Sequence, residues 1–179
     1  MAITKFSNII TYSDMGGEFA LVSNSDYEDR FNSMVTDNEY FVLYNMLGAS
    51  LYNTYVAAPT TEAWTDLLNG KSGYEDLNED LRNWQGLKYL LVPYHYSKWI
   101  LSDQYKSSLS GILINNQENS RLLSISQIKK LSNMAFDEFL RRYNECYIYL
   151  YINLETYTEF DHYFVNYNTK SKIIKTSIL

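Results

Sequence analysis

The chain has 179 residues, 46% of them hydrophobic and 20% charged, with a formal net charge of −6. That length suits one domain, or one domain with arms, and folding on this scale hides roughly 70% of the open chain's surface, so a core forms without staples. The acidic balance argues against a nucleic-acid grip, which needs clustered Lys and Arg on phosphates, and the single cysteine, Cys146, excludes an internal disulfide.

In chain order, residues 1–22 read as an N-terminal arm. Gly16 and Gly17 break regular structure there, and Phe19–Val22, which includes Leu21, reads as a short strand. The opening "MAITKFSNIITYSDMGG" lacks a long apolar core and a cleavage pattern, so no export is expected. No run approaches the ~18 apolar residues of a membrane span.

Helix starts follow. Ser25 with Glu28, and Thr36 with Glu39, each have capping-box spacing. Phe41, Tyr44, Leu47, Gly48, Leu51, Tyr52 and Tyr55 then recur at three- and four-residue steps, which predicts one helix through Gly48 up to Pro59. A mid-helix glycine costs about 1 kcal/mol against alanine, and a close neighbouring helix is one reason to accept it. "TTEAWTDLLNG" predicts a short helix with a Thr cap and Gly70 as its stop.

"KSGYEDLNED" reads as a loop. Leu81, Trp84, Leu87, Leu91, His95 and Trp99 next share one helical side, with a kink or break expected near Leu91–Val92 because of Pro93. After "SSLSG", the stretch "GILINNQENSR" holds the β-formers Ile112, Leu113 and Ile114 beside Asn115 and Asn116. A strand here needs a partner. One option is an arm of the same chain, either Phe19–Val22 or Lys172–Leu179; the other is a neighbouring subunit, by strand addition.

The last helix has the strongest signal. Ser124 with Gln127 forms a capping box, and Ile128, Leu131, Ala135, Phe139, Tyr143, Cys146, Leu150 and Leu154 follow a helical stripe. Asp137–Arg141 and Glu138–Arg142 are i,i+4 pairs with the acid first. A second band of Phe136, Leu140, Tyr147 and Tyr151 makes this helix apolar around much of its girth, so it is central to its own core or also faces a second chain.

Beyond Tyr157 the spacing is lost. Residues 161–179 set Lys170, Lys172 and Lys175 against Asp161, a total of +2, which leaves −8 for residues 1–160 out of the total of −6. This C-terminal arm carries Phe164, Val165, Ile173 and Ile174, apolar residues that favour docking over a frayed end. The fold class expected is thus mainly α: a bundle of four to five helices over residues 23–160, with extended N- and C-terminal arms and a short β-like loop.

Chemistry is sparse. His95 and His162 have no second His, Cys or carboxylate at metal-ligand spacing. His95 reads as a hydrogen-bonded structural histidine; only a pocket pairing it with a carboxylate would point to an enzyme. Glu75, Asp76, Glu79 and Asp80 lack calcium-loop spacing and read as a solvated loop and helix start. There is no phosphate-binding glycine motif, and Cys146 reads as a small buried apolar residue. No catalytic residue, cofactor or metal is assigned. The 18 tyrosines suit half-buried surfaces and interfaces, although AT-rich codon bias accounts for part of that number.

"YNMLGASLYNTY", "TDLLNGKSGYEDL", "WQGLKYLLVPYHYSKWI" and "GILINNQENSRLLSISQIKKLSNMAFDEFLRRYNECYIYL" together resemble the head–tail connector proteins of tailed bacteriophages, most of all the small ring (adaptor) proteins of crAss-like phages. The likeness runs roughly from Asn38 to Leu154 and is carried best by Gly48, Gly70, Gly86 and Ser120. It implies a structural virion protein at the head–tail interface, made in the host cytoplasm. About twelve copies would form a ring below the portal by heterologous contacts, with neighbouring tail or ring proteins as further partners. DNA would pass through the channel without specific binding, helped by an acidic body. The two arms and the Gly111–Arg121 loop would lock each copy to its neighbours. The alternative reading is a non-catalytic helical binding or packaging-helper protein acting as a monomer or dimer.

Overall fold

Trp84 shows how the pieces of the chain are held together: its indole Nε1 donates to the Leu67 main-chain oxygen at 2.9 Å, and its ring stacks on Tyr149. The computed structural model that reveals this describes residues 9–21, 25–58, 60–76, 78–106, 113–114, 121–122 and 124–161. Five α-helices make up most of it. They are α1 (Ser25–Leu47), α2 (Ala49–Ala57), α3 (Glu62–Asn69), α4 (Gly86–Lys106) and α5 (Ile125–Ile152). Two small antiparallel ribbons complete it, β1 (Lys71–Glu75) with β2 (Leu81–Trp84) and β3 (Leu113–Ile114) with β4 (Arg121–Leu122). The mainly helical class is as expected.

The first long helix differs from expectation at both ends of its second half. No helix begins at Thr36. Its hydroxyl donates to the Asn32 oxygen at 2.9 Å, so it is satisfied within the preceding turn and has no capping work to do. The helix predicted to run through Gly48 is two helices. Gly48 adopts φ 79°, its N–H closes α1 on the Tyr44 oxygen, and its own oxygen accepts the Tyr52 N–H that opens α2. The turn lets α1 bury Phe31, Val35, Val42 and Met46 while α2 buries Leu51, Tyr52 and Tyr55.

The expected loop after Gly70 is a hairpin, and the helix expected from Leu81 begins only at Gly86. Lys71 faces Trp84, Tyr74 faces Arg82 and Glu75 faces Leu81. Asp76 ties the turn: its carboxylate accepts the N–H groups of Asn78 at 2.8 Å and Asp80 at 3.1 Å, and also the Arg82 Nε–H. Glu75, Glu79 and Asp80 remain exposed around it, so the acidic cluster belongs to a hairpin tip and not to a helix start. At the root, a Cβ on Gly70 would sit 2.5 Å from the Trp84 oxygen, and one on Gly86 would sit 2.5 Å from the Leu68 oxygen. The two main chains touch there because neither residue has a side chain.

α4 and α5 form the central pair. Pro93 does not break α4, which runs from Gly86 to Lys106. Proline removes the N–H that would bond the oxygen four residues back. That oxygen, on Tyr89, instead accepts Nη1–H of Arg142 on α5 at 2.6 Å. A second tie runs from the Ser132 hydroxyl to the Ser97 oxygen at 3.0 Å. The α5 start is as the sequence predicts: Gln127 N–H donates to Ser124 Oγ at 3.3 Å, and Ser124 N–H donates back to Gln127 Oε1 at 2.9 Å.

The buried stripe of α5 is Ile128, Ala135, Phe139, Tyr143, Cys146 and Leu150, with Leu131 at its exposed edge and Leu154 half-buried. One of the two expected ion pairs exchanges partner. Arg141 binds Glu138 at 2.7 Å and also Glu145, instead of Asp137, while Arg142 binds Glu138 at 2.7 Å as expected.

Most of the described tyrosines divide between the core and half-buried positions such as Tyr12, Tyr27, Tyr40 and Tyr44. Tyr52, Tyr55, Tyr94, Tyr143, Tyr149 and Tyr157 are all buried. Tyr157 donates to the Ala63 oxygen at 2.8 Å and meets the Tyr149 hydroxyl at 3.2 Å, which draws the chain after α5 back onto α3. Phe160 is buried at the end of this return.

The N-terminal arm is not extended over its described part. Residues 9–21 hold two 3-10 turns, Tyr12–Asp14 and Gly17–Phe19, and bury Ile9, Ile10, Met15 and Phe19. The strand expected from Phe19 is absent through Leu21, because Gly17 at φ 60° turns the chain and sends the Phe19 ring into the core.

Candidate functional site

The polar side chains that could carry chemistry are drawn into two junctions. The first seats the N-terminal strap. Glu39 lies on the apolar face of α1, one turn from Val35 and from Leu43, and is only 4% exposed. Its two oxygens accept the consecutive main-chain N–H groups of Ile9 and Ile10, at 2.5 and 3.1 Å. His95 of α4, wholly buried, places Nε2 3.5 Å from the same carboxylate. Asn32 accepts the Tyr12 N–H at 3.0 Å, and the Tyr12 ring meets Phe31 edge-on. A buried carboxylate requires such partners, and here two amides and an imidazole surround it.

The pairing of His95 with a carboxylate, the one arrangement that would point to an enzyme, is therefore present as geometry. Both carboxylate oxygens are engaged by the strap, and neither His95 nor Glu39 lines either of the clefts described below.

The second junction is Arg142, whose side chain is 6% exposed. It donates to Glu138 and to the Tyr89 oxygen, and lies 3.6 Å from the centre of the Tyr89 ring and 5.6 Å from that of Phe19. Glu18 stands 3.8 Å from its Nη2. α4, α5 and the strap thus meet on one guanidinium. Hydrogen bonds from Arg141, and beyond them those from Arg142, hold the Glu138 carboxyl down at about 2. Burial pushes the Tyr94 hydroxyl up to about 12 and moves the Cys146 thiol upward as well, so Cys146 is the inert apolar residue expected.

Among the described residues, two open clefts on the outside stand out. One, of about 360 Å³, runs between the β1–β2 hairpin and α5, lined by Tyr74, Arg82, Tyr89, Arg141, Glu145 and Ile148. The other, of about 420 Å³, lies between α1 and α4 beside Arg30, Met34 and Trp99. Among the described residues no group of three His, Cys, Asp or Glu side chains is placed to hold a metal ion, and no helix is long and apolar enough to cross a membrane.

The residues singled out for subunit contact fall into three groups. Phe19 packs on Tyr96, 5.3 Å between ring centres, and serves as an anchor within its own chain; Leu21 is half-buried nearby. Leu113 pairs with Leu122, and Ile114 with Arg121, so the loop supplies its own return strand and needs neither arm for this pairing. Ile112, Asn115, Asn116, Phe164, Val165, Ile173 and Ile174 lie outside the described residues.

Sequence reasoning passed over Glu39 and Arg142 as junctions. The signal was there: each is a charged residue at a helical step between apolar ones, Glu39 between Val35 and Leu43, and Arg142 between Phe139 and Cys146. A family model described as "Family of unknown function (DUF6712)" matches residues 43–172, well over half of the chain. No curated protein and no solved structure matches it.

Proposed function

We propose that this chain, which belongs to the DUF6712 family of unknown function, is a non-catalytic structural protein of a virion. It forms a ring of about twelve copies in the head-to-tail connector below the portal, around the DNA channel. The resemblance of residues 38–154 to phage ring proteins supports this reading.

The observation that carries it is where polar and apolar side chains lie. Glu39, Arg142 and Glu138 are spent on holding the strap and the helices, while Leu81, Ile125 and Met134 stand 74, 63 and 57% exposed. Large apolar side chains left in water, on a body whose buried Glu39 and Arg142 serve internal contacts, suit a protein completed by neighbours. A net charge of −6 suits a channel wall past which DNA slides.

The test is the mass of the purified chain, alone and with portal protein, followed by imaging of particles whose copies lack Ile112–Asn116. Ring-sized assemblies, and failed head–tail joints in the deletion, are the expected results. A monomer or dimer with no affinity for portal protein would favour a binding or packaging-helper role instead. Normal, stable joints in the deletion would remove the loop from the contact.

A further inference from the structure

Among the described residues, the β1–β2 ribbon leaves strand main chain without a third partner beside a largely polar cleft, in which Ile148 and the Tyr74 and Tyr89 rings are the apolar elements. Its two strands pair only with each other among the described residues, so each keeps one edge of N–H and C=O groups without a ladder partner. Leu81, 74% exposed, stands on this ribbon, and Ile148, 39% exposed, lines the cleft beneath it with Tyr74. Around the tip, Glu75, Glu79 and Asp80 are exposed carboxylates, while the nearby cations Lys71 and Arg82 are already paired with Asp66 and Asp76. The surface therefore asks for an extended segment with β-forming apolar residues and unpaired positive charge.

Residues 170–179, "KSKIIKTSIL", have that character: Lys170, Lys172 and Lys175 interleave with Ile173 and Ile174, and there is no acid or proline. The described chain ends at Asp161, and the nine residues from there to Lys170 span up to about 30 Å when extended. We propose that the C-terminal segment of a second copy adds to the β1–β2 ribbon as a third strand, with its lysines against Glu75, Glu79 and Asp80 and its isoleucines against Leu81 and the cleft at Ile148. This rests on the ring reading above and gives it a contact. Each chain offers an open ribbon and one strand, a head-to-tail pair that closes only when the last copy meets the first.

Carbodiimide, which joins amines to carboxylates in contact, tests the idea on the full-length protein. Covalent monomer and dimer are separated under denaturing conditions and digested. The Lys71–Asp66 pair, 2.9 Å apart within one chain, shows that the reagent worked. Peptides linking Lys170, Lys172 or Lys175 to Glu75, Glu79 or Asp80 are expected in the dimer. They should be lost in a chain carrying Glu75→Lys, Glu79→Lys and Asp80→Lys. They should return, with amine and acid exchanged, when that chain is mixed with one carrying Lys170→Glu, Lys172→Glu and Lys175→Glu.

The same peptides found only in the monomer would mean that each chain caps its own ribbon, which overturns the proposal, as does their absence from both bands. Native mass keeps the two claims apart. A multimer without these links removes the docking and leaves the ring, whereas a monomer without them removes both.

Discussion

Arg142 of α5 donates to the main-chain oxygen of Tyr89 at 2.6 Å and lays its guanidinium 3.6 Å from the centre of the same residue's ring. The oxygen is available because Pro93, four residues on, has no N–H to give it. A residue that weakens one helix thereby becomes the place where the next helix attaches. The contact is long-range in sequence and lies near the start of α4.

That relation makes Pro93 and Arg142 energetically coupled. Arg142→Met should destabilise the fold by about 2–4 kcal/mol, because the Tyr89 oxygen and Glu138 lose a buried charged donor. In a Pro93→Ala background the restored N–H can serve Tyr89, so the cost of Arg142→Met should fall by about 1 kcal/mol. Urea unfolding of the four proteins in the cycle measures the difference, and equal costs in both backgrounds would break the link.

Glu138 should shape the acid limb of stability. Its carboxyl, held at about 2 in the fold chiefly by Arg141, would have an ordinary value of 4.5 in the open chain. A depressed folded value contributes stability that is fully present above the ordinary value and lost as pH falls from about 4.5 toward 2. Arg141 is half in water, so screening reduces the contribution to about 1–2 kcal/mol. Glu138→Gln should flatten the stability profile across that window, read by urea midpoints at pH 7 and pH 2.5.

The strap should depend on one carboxylate. Glu39→Ala leaves the Ile9 and Ile10 N–H groups and His95 buried without it, at a cost of about 2–4 kcal/mol. Hydrogen exchange should accelerate first in residues 9–15 and only later in α5. Uniform acceleration would mean that the strap and the bundle open as one unit.

Cys146 should report global opening. Its side chain is completely buried and burial raises its thiol out of the reactive range. A thiol reagent should therefore label it at the unfolding rate and not at the rate of a surface cysteine. Labelling that outpaces unfolding would reveal a local opening of α5.

The last helix was legible because its signals are local and repeated: a reciprocal cap at Ser124 and Gln127, then a stripe carried over seven turns. The β1–β2 hairpin was not. Lys71–Glu75 contains no β-branched residue and includes Gly73, and its pairing is set by the Asp76 turn and by Trp84 docking on Tyr149, contacts that spacing cannot display. The break at Gly48 hid inside an unbroken apolar rhythm, since φ is not written in the periodicity. Of the kink or break expected at Pro93, the break does not occur: the oxygen that Pro93 leaves without an N–H is taken by Arg142, forty-nine positions away. Of the expected contact residues, Phe19 was read as available when it is an internal anchor, because an isolated aromatic in a glycine-flanked segment does not announce which side it will cover.

Residues 71–85 leave the bundle at Gly70 and re-enter it at Gly86, where the two main chains are in contact. Trp84 and Tyr74 seat the body of the hairpin on Tyr149 of α5, while Glu79 and Asp80 at its tip stand exposed. A lineage carrying this fold can rewrite what the tip displays, or enlarge it, and change its choice of companion while the helices keep their places.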